Sequence, residues 1–184
     1  MKKRSVFLNP ISLFIIGLAL GVMVRLFDIY TEHLGKMFSQ MAIWILIGSA
    51  IAWYSPSAKK AMINILPFCL GMLITYYYVA KITDGVYSKT FITGWTIFAF
   101  CSPILAAIVW YSRKNGILSV IIRIGIVTVS LLSSVIVFHG PRFYDFIIDG
   151  VLVYLLFAPK QNSNPSKREH PNKKKRAFQA NMRQ

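Results

Sequence analysis

The chain has little of what a disulfide scaffold, a metal centre or an enzyme is built from. Its two cysteines, Cys69 and Cys101, each lie inside an apolar run. A disulfide framework needs loop cysteines in an oxidising compartment, so these two read as small apolar residues. No CxxC or HxxxH spacing occurs, and His33 and His139, though near Glu32 and Asp145 by topology, form no recognisable metal set. A nucleophile elbow, an HExxH segment and a paired-glutamate pattern are all missing. No catalytic residue, metal or cofactor is therefore assigned, and an enzyme is not expected. Acids are scarce as well: 6 Asp and Glu stand against 21 Lys and Arg, for a net charge of +15.

Apolar residues are what the chain has in quantity. They make up 55% of its 184 residues, with a mean hydropathy of +0.54, too apolar for a soluble domain of this size. A soluble basic protein would spread its positive charge over its surface. Here the charge falls in short clusters between long apolar runs, the pattern of an all-α, polytopic integral membrane protein. The opening MKKRSVFLNPISLFIIGLALG imitates a secretory signal, but no small-x-small cleavage site follows, so it reads as a retained first helix.

A spanning helix takes roughly 20 mostly apolar residues. Six candidates arise, at about 11–30, 38–54, 61–80, 92–111, 117–138 and 143–158, forming one transmembrane domain over 1–158. Short connections make sequential spans antiparallel neighbours in a compact bundle. Asn9-Pro10 opens the first span, Ser55-Pro56 ends the second, and Gly140-Pro141 separates the fifth from the sixth. Pro67 and Pro103 lie inside spans three and four and are expected to kink them. Fifteen of the 21 basic residues fall on one side, at the N-terminus, the 2–3 and 4–5 connections and the tail. The opposite side holds Lys36, Lys81, Lys89 and Arg142, while Arg25 and Arg123 are embedded. The positive-inside rule then sets both termini in the cytoplasm, on the inner side of a cytoplasmic membrane.

Charge inside the first span raises the functional question. At 100° per residue, Gly17, Gly21, Arg25, Asp28 and Glu32 share an arc of about 80° on one helix face. Gly17 and Gly21 have the GxxxG spacing that lets another backbone come close. An unpaired embedded charge costs about 2.5–3.5 kcal/mol or more, so Arg25 needs a partner. Asp28 is one turn above it, and Asp149 in span six has a similar expected depth. Two readings follow: an ion pair that locks helices one and six, or an outward-facing polar pocket of spans one, five and six. In the pocket reading Arg25, Asp28, Asp149 and Tyr77 touch a small solute that is bound or transported. Tyr76, Tyr77 and Tyr78 also suit an interfacial aromatic belt. Ser119, Arg123, Ser130 and Ser134 share a face of span five, where Arg123 is placed to snorkel to headgroups. Asn64 is expected to bond to a neighbouring helix. The tail, residues 159–184, is Asn-, Pro- and Lys-rich and expected to be disordered, with a KKKR run suited to anionic lipid. A nucleic-acid partner is not expected.

GLALG with Asp28, QMAIW at 40–44, GMLITYYY at 71–78, Trp95 and SPILA at 102–106 resemble a family of small six-helix bacterial membrane proteins classed as a domain of unknown function. The resemblance covers roughly residues 11–157 and implies a fold group without an activity; the basic tail and Arg25 look particular to this chain. In size and span number the chain is also similar to the substrate-binding subunits of energy-coupling-factor transporters. That similarity implies docking of a partner by a small-residue face of the first helix, here Gly17 and Gly21. An accessory subunit, docking a membrane protein, a second copy or anionic lipid, is thus the alternative to solute binding.

Overall fold

Each helix begins or ends where the local chemistry dictates. α1 (Pro10–Tyr30) starts on Asn9 with Pro10 in its first turn, where a missing N–H leaves nothing unpaired. α2 (Glu32–Phe38) is a separate short helix, and α3 (Met41–Tyr54) follows it. α4 (Ala58–Ile82) is capped by Ser57, whose hydroxyl accepts from the Lys60 amide at 3.2 Å. α5 (Lys89–Tyr111) connects to α6 (Ile117–Phe138) through Gly116, whose φ of 138° suits glycine. α7 (Phe143–Phe157) opens with the Asp145 carboxylate accepting from the Arg142 amide at 2.8 Å. This computed structural model describes residues 8–38, 40–83, 89–138 and 142–158. Gly140-Pro141, His139, Asp84 and the tail 159–184, with the disorder and lipid-binding expectations attached to it, lie outside the described residues.

The described residues are helical, and four segments are long and apolar enough to cross a membrane: Pro10–Tyr30, Ala58–Ile82, Ile92–Tyr111 and Ile117–Ile136. Apolar helices of this length suggest a membrane location. One expected span is shorter than anticipated: the second begins at Met41, not residue 38, because residues 32–38 form α2. α7, with 15 residues, has the expected bounds to within one residue. α3 is 14 residues long, about 21 Å at 1.5 Å per residue. It packs against α4, α5, α6 and α7, so much of its surface meets protein. Pro67 and Pro103 are accommodated inside continuous helices. At Pro103, which brings no N–H, the Ser102 hydroxyl donates to the Ala99 carbonyl at 2.7 Å, filling the acceptor the proline leaves.

The helices alternate in direction. α1 and α4 run parallel, since Gly17 lies over Phe68, Gly21 over Met72 and Thr75, and Arg25 reaches Thr83. The ends of α3 and α5 meet where the Trp110 indole donates to the Ser55 carbonyl at 3.1 Å. The starts of α3 and α7 meet where Gln40 lies against Tyr144 and Asp145. The core centres on Trp44, Ile51, Ile65, Phe68, Met72 and Leu152.

Candidate functional site

The expected stripe on α1 exists, and α4 covers it. A Cβ at Gly17 would overlap the Phe68 carbonyl, and one at Gly21 would overlap the Met72 carbonyl and the Thr75 hydroxyl. Gly71 returns the contact, its absent Cβ lying 2.7 Å from the Phe14 carbonyl. The close approach lets Thr75 Oγ1 donate to Leu18 O at 2.8 Å across the two helices. This corrects the docking expectation: the glycine face binds a helix of its own chain, so it is not open to a partner.

Arg25 and Asp28 sit at the far end of the same seam. Their closest approach is 3.9 Å, and their side chains are only 13% and 14% exposed. The Arg25 guanidinium also donates to Thr83 Oγ1 at 3.3 Å. Tyr76, rather than Tyr77, completes the cluster by donating to Asp28 Oδ2 at 2.6 Å. α2 closes over it through Gly35, whose Cβ position lies 2.8 Å from Asp28 Cα. Tyr77 stacks edge-on against Tyr76, ring centroids 5.2 Å apart. Helical periodicity alone could not choose between adjacent tyrosines. The facing position of Asp28 makes the choice.

Asp149 is not part of this cluster. It accepts from Ser130 Oγ at 2.5 Å on α6, and α7 packs on α3 and α6 while α1 packs on α4 and α2. The expected pocket of spans one, five and six, and the ion pair joining helices one and six, are therefore corrected: α4 takes the place beside α1 that α7 was expected to fill. Asp145, fully buried, receives the Arg142 amide and, with the Gln40 amide turned to satisfy both, the Gln40 nitrogen. Arg142 itself donates to Tyr144 Oη at 2.7 Å, and that hydrogen bond raises its pKa.

The opposite end of the bundle is held by cations on rings and carbonyls. Arg113 donates to Ser55 O at 2.7 Å and lies 5.6 Å from the Trp110 centroid; burial lowers its pKa, although it stays charged. Arg123 does not turn outward. It donates to Ser112 O at 2.8 Å and sits 5.6 Å from the Trp53 and 5.7 Å from the Phe157 centroid. Asn64, fully buried, bonds to Ser55 Oγ at 3.3 Å and Leu8 O at 3.4 Å. Both cysteines are free, and His33 is exposed on α2.

The open volume lies elsewhere. A cavity of about 390 Å³ runs between α3, α4, α5 and α6, walled by Trp44, Phe68, Met72, Trp95, Phe98 and Ile126 among others. Its hydroxyl side chains are Ser49 and Ser102, and the Ser102 hydroxyl is bonded to its own helix. Leu105 and Ile108 on α5 and Gly125 and Val129 on α6 line it and are exposed, which makes a lateral mouth where these two helices touch sparsely. Sequence reading missed this cavity, because its walls have the same composition as a packed core.

Residues 1–154 match a protein family described as a family of unknown function, DUF6518. No curated protein and no solved structure matches the chain.

Proposed function

The chain belongs to this family of unknown function, and we propose that it is a six-span membrane protein that takes an uncharged, apolar molecule into the cavity between α3 and α6. Alternating helix direction supports six crossings, because α4 can run parallel to α1 only if the chain returns between them. α3 and α7 are short of a ~30 Å hydrocarbon layer, a mismatch that protein neighbours and local thinning of the bilayer absorb. Clustered lysine and arginine set both termini on the cytoplasmic side.

The observation that carries the ligand reading is the cavity itself. At about 390 Å³ it is within the range of small-molecule sites, and its walls offer almost nothing to a charged solute. Arg25 and Asp28, by contrast, meet groups of this chain, so they serve to hold α1, α2 and α4 together. With its mouth between α5 and α6, the cavity opens sideways into the lipid that the six-span reading places around it. Entry from the bilayer, not from water, follows.

A diazirine-bearing alkyl probe in proteoliposomes tests this. After irradiation, mapped adducts are expected on Phe68, Met72 and Phe98 inside the cavity. Gly125→Leu fills the mouth, where an added Cβ meets nothing within 4 Å. It should cut those adducts several-fold and leave labelling of exposed Ile15 and Tyr154 unchanged. Adducts confined to the exposed residues, or cavity labelling indifferent to Gly125→Leu, would refute the reading.

A further inference from the structure

Positive charge gathers at the end of the bundle where α3, α5 and α7 finish and α6 begins. Arg113 lies in the turn between α5 and α6, and Arg123 lies in the second turn of α6. Helical side chains lean toward the N-terminus, and Arg123 reaches back to that turn. Its Nε donates at 2.8 Å to the Ser112 carbonyl, the one that leads into Arg113. Both guanidiniums sit by Trp53, their Cζ atoms 6.0 and 5.6 Å from its ring centroid, so they are no more than about 12 Å apart. Lys114 adds a third cation, its Nζ 4.5 Å from the Tyr111 centroid.

The acids of the described helices stand in the other half of the bundle: Asp28 on α1, Glu32 on α2, Asp145 and Asp149 in the first half of α7. Among the described residues neither arginine meets a carboxylate, and their hydrogen bonds end on backbone carbonyls. Carbonyls and rings orient a guanidinium but leave its charge whole. A guanidinium has five N–H groups, and two neighbouring ones form an edge that matches two oxygens of a phosphate. Arg113 spends Nη1 on Ser55 O, which leaves its Nε–Nη2 edge free. Arg123 spends Nε, which leaves its Nη1–Nη2 edge free. Both side chains are half-buried, and beside them Tyr111, Ile117, Leu118, Tyr154 and Phe157 are exposed. An anion that brings its own hydrocarbon answers both the charge and this apolar flank. A zwitterionic headgroup carries an ammonium that the cations repel.

We propose that this end of the bundle is a binding site for an anionic phospholipid, its headgroup oxygens held on the free edges of Arg113 and Arg123 and its acyl chains along α6 and α7. Basic pockets between spanning helices on the positively charged side of a membrane suit such headgroups. The site rests on the membrane reading above and is independent of the apolar cavity.

The full chain, purified in detergent, is melted with phosphatidylglycerol, phosphatidylcholine or inorganic phosphate added at equal concentration. Phosphatidylglycerol alone should raise Tm, because a ligand bound only by the folded chain stabilises it. In an Arg113→Gln, Arg123→Gln double variant that rise should shrink several-fold, whereas Lys81→Gln at the opposite end should keep it. The basic tail is present throughout, so its own attraction for the lipid cancels from the comparison. Phosphatidylglycerol bearing a diazirine, crosslinked to the wild-type chain, should map to residues 111–118 and 154–157 in excess over the phosphatidylcholine analogue, which decides the matter if the double variant does not fold. An equal rise with phosphatidylcholine or inorganic phosphate, a rise undiminished in the double variant, or crosslinks confined to other segments overturns the site. Release of the chain from membranes by alkaline carbonate would instead overturn the membrane reading itself.

Discussion

Asp28 illustrates how a single embedded charge is made tolerable. Its carboxylate takes a 2.6 Å hydrogen bond from Tyr76, lies 3.9 Å from Arg25, and is covered by the backbone at Gly35. A hydrogen bond to a charged group contributes about 1.5–3 kcal/mol, so Tyr76→Phe should lower stability by that amount in detergent melting. The sequence made Arg25 and Asp28 legible because charge in an apolar helix is conspicuous. Tyr76 was not, because three adjacent tyrosines look alike until the partner helix is known. Asn64 was legible as a cross-helix donor for the same reason as Arg25: a polar amide inside an apolar run must find a partner.

Among the elements, the α1–α4 pair is the one most exposed to a single substitution. Gly17→Leu or Gly21→Leu drives a side chain into backbone carbonyls of α4 that cannot move aside. Overpacking of this kind costs about 1–3 kcal/mol, and the loss of Tm should exceed that of any change at Gly125 or Gly150. Gly125→Ala and Gly150→Ala are the controls. Both positions have open space around the missing Cβ, and alanine is favoured over glycine in a helix by about 1 kcal/mol, so these variants should melt no lower than wild type. The small-residue spacing was readable from sequence, and so was its inward direction. Which helix it met was not, since small residues license close approach without naming the partner. α2 escaped notice because a seven-residue helix carries too few turns for a periodic pattern to emerge.

At the level of the whole molecule, helix direction and surface character point the same way. Large apolar side chains such as Ile117, Leu118, Ile136 and Phe143 are exposed on the outside of the bundle, a surface suited to lipid rather than water. Charge clustering is the sequence signal on which the proposed alternation of sides rests, because lysine and arginine are sorted by the membrane and not by the fold. The cavity was invisible for the opposite reason: a void depends on how helices are spaced, which composition does not record. The claim on which the rest depends is that the chain reverses through the bilayer at every long helix. In a Cys69→Ala, Cys101→Ala background, His33→Cys on α2 and Asn115→Cys between α5 and α6 offer exposed sites on opposite sides. A membrane-impermeant maleimide should label position 33 in intact cells and position 115 only after permeabilisation. Labelling of both positions from the same side would contradict the account.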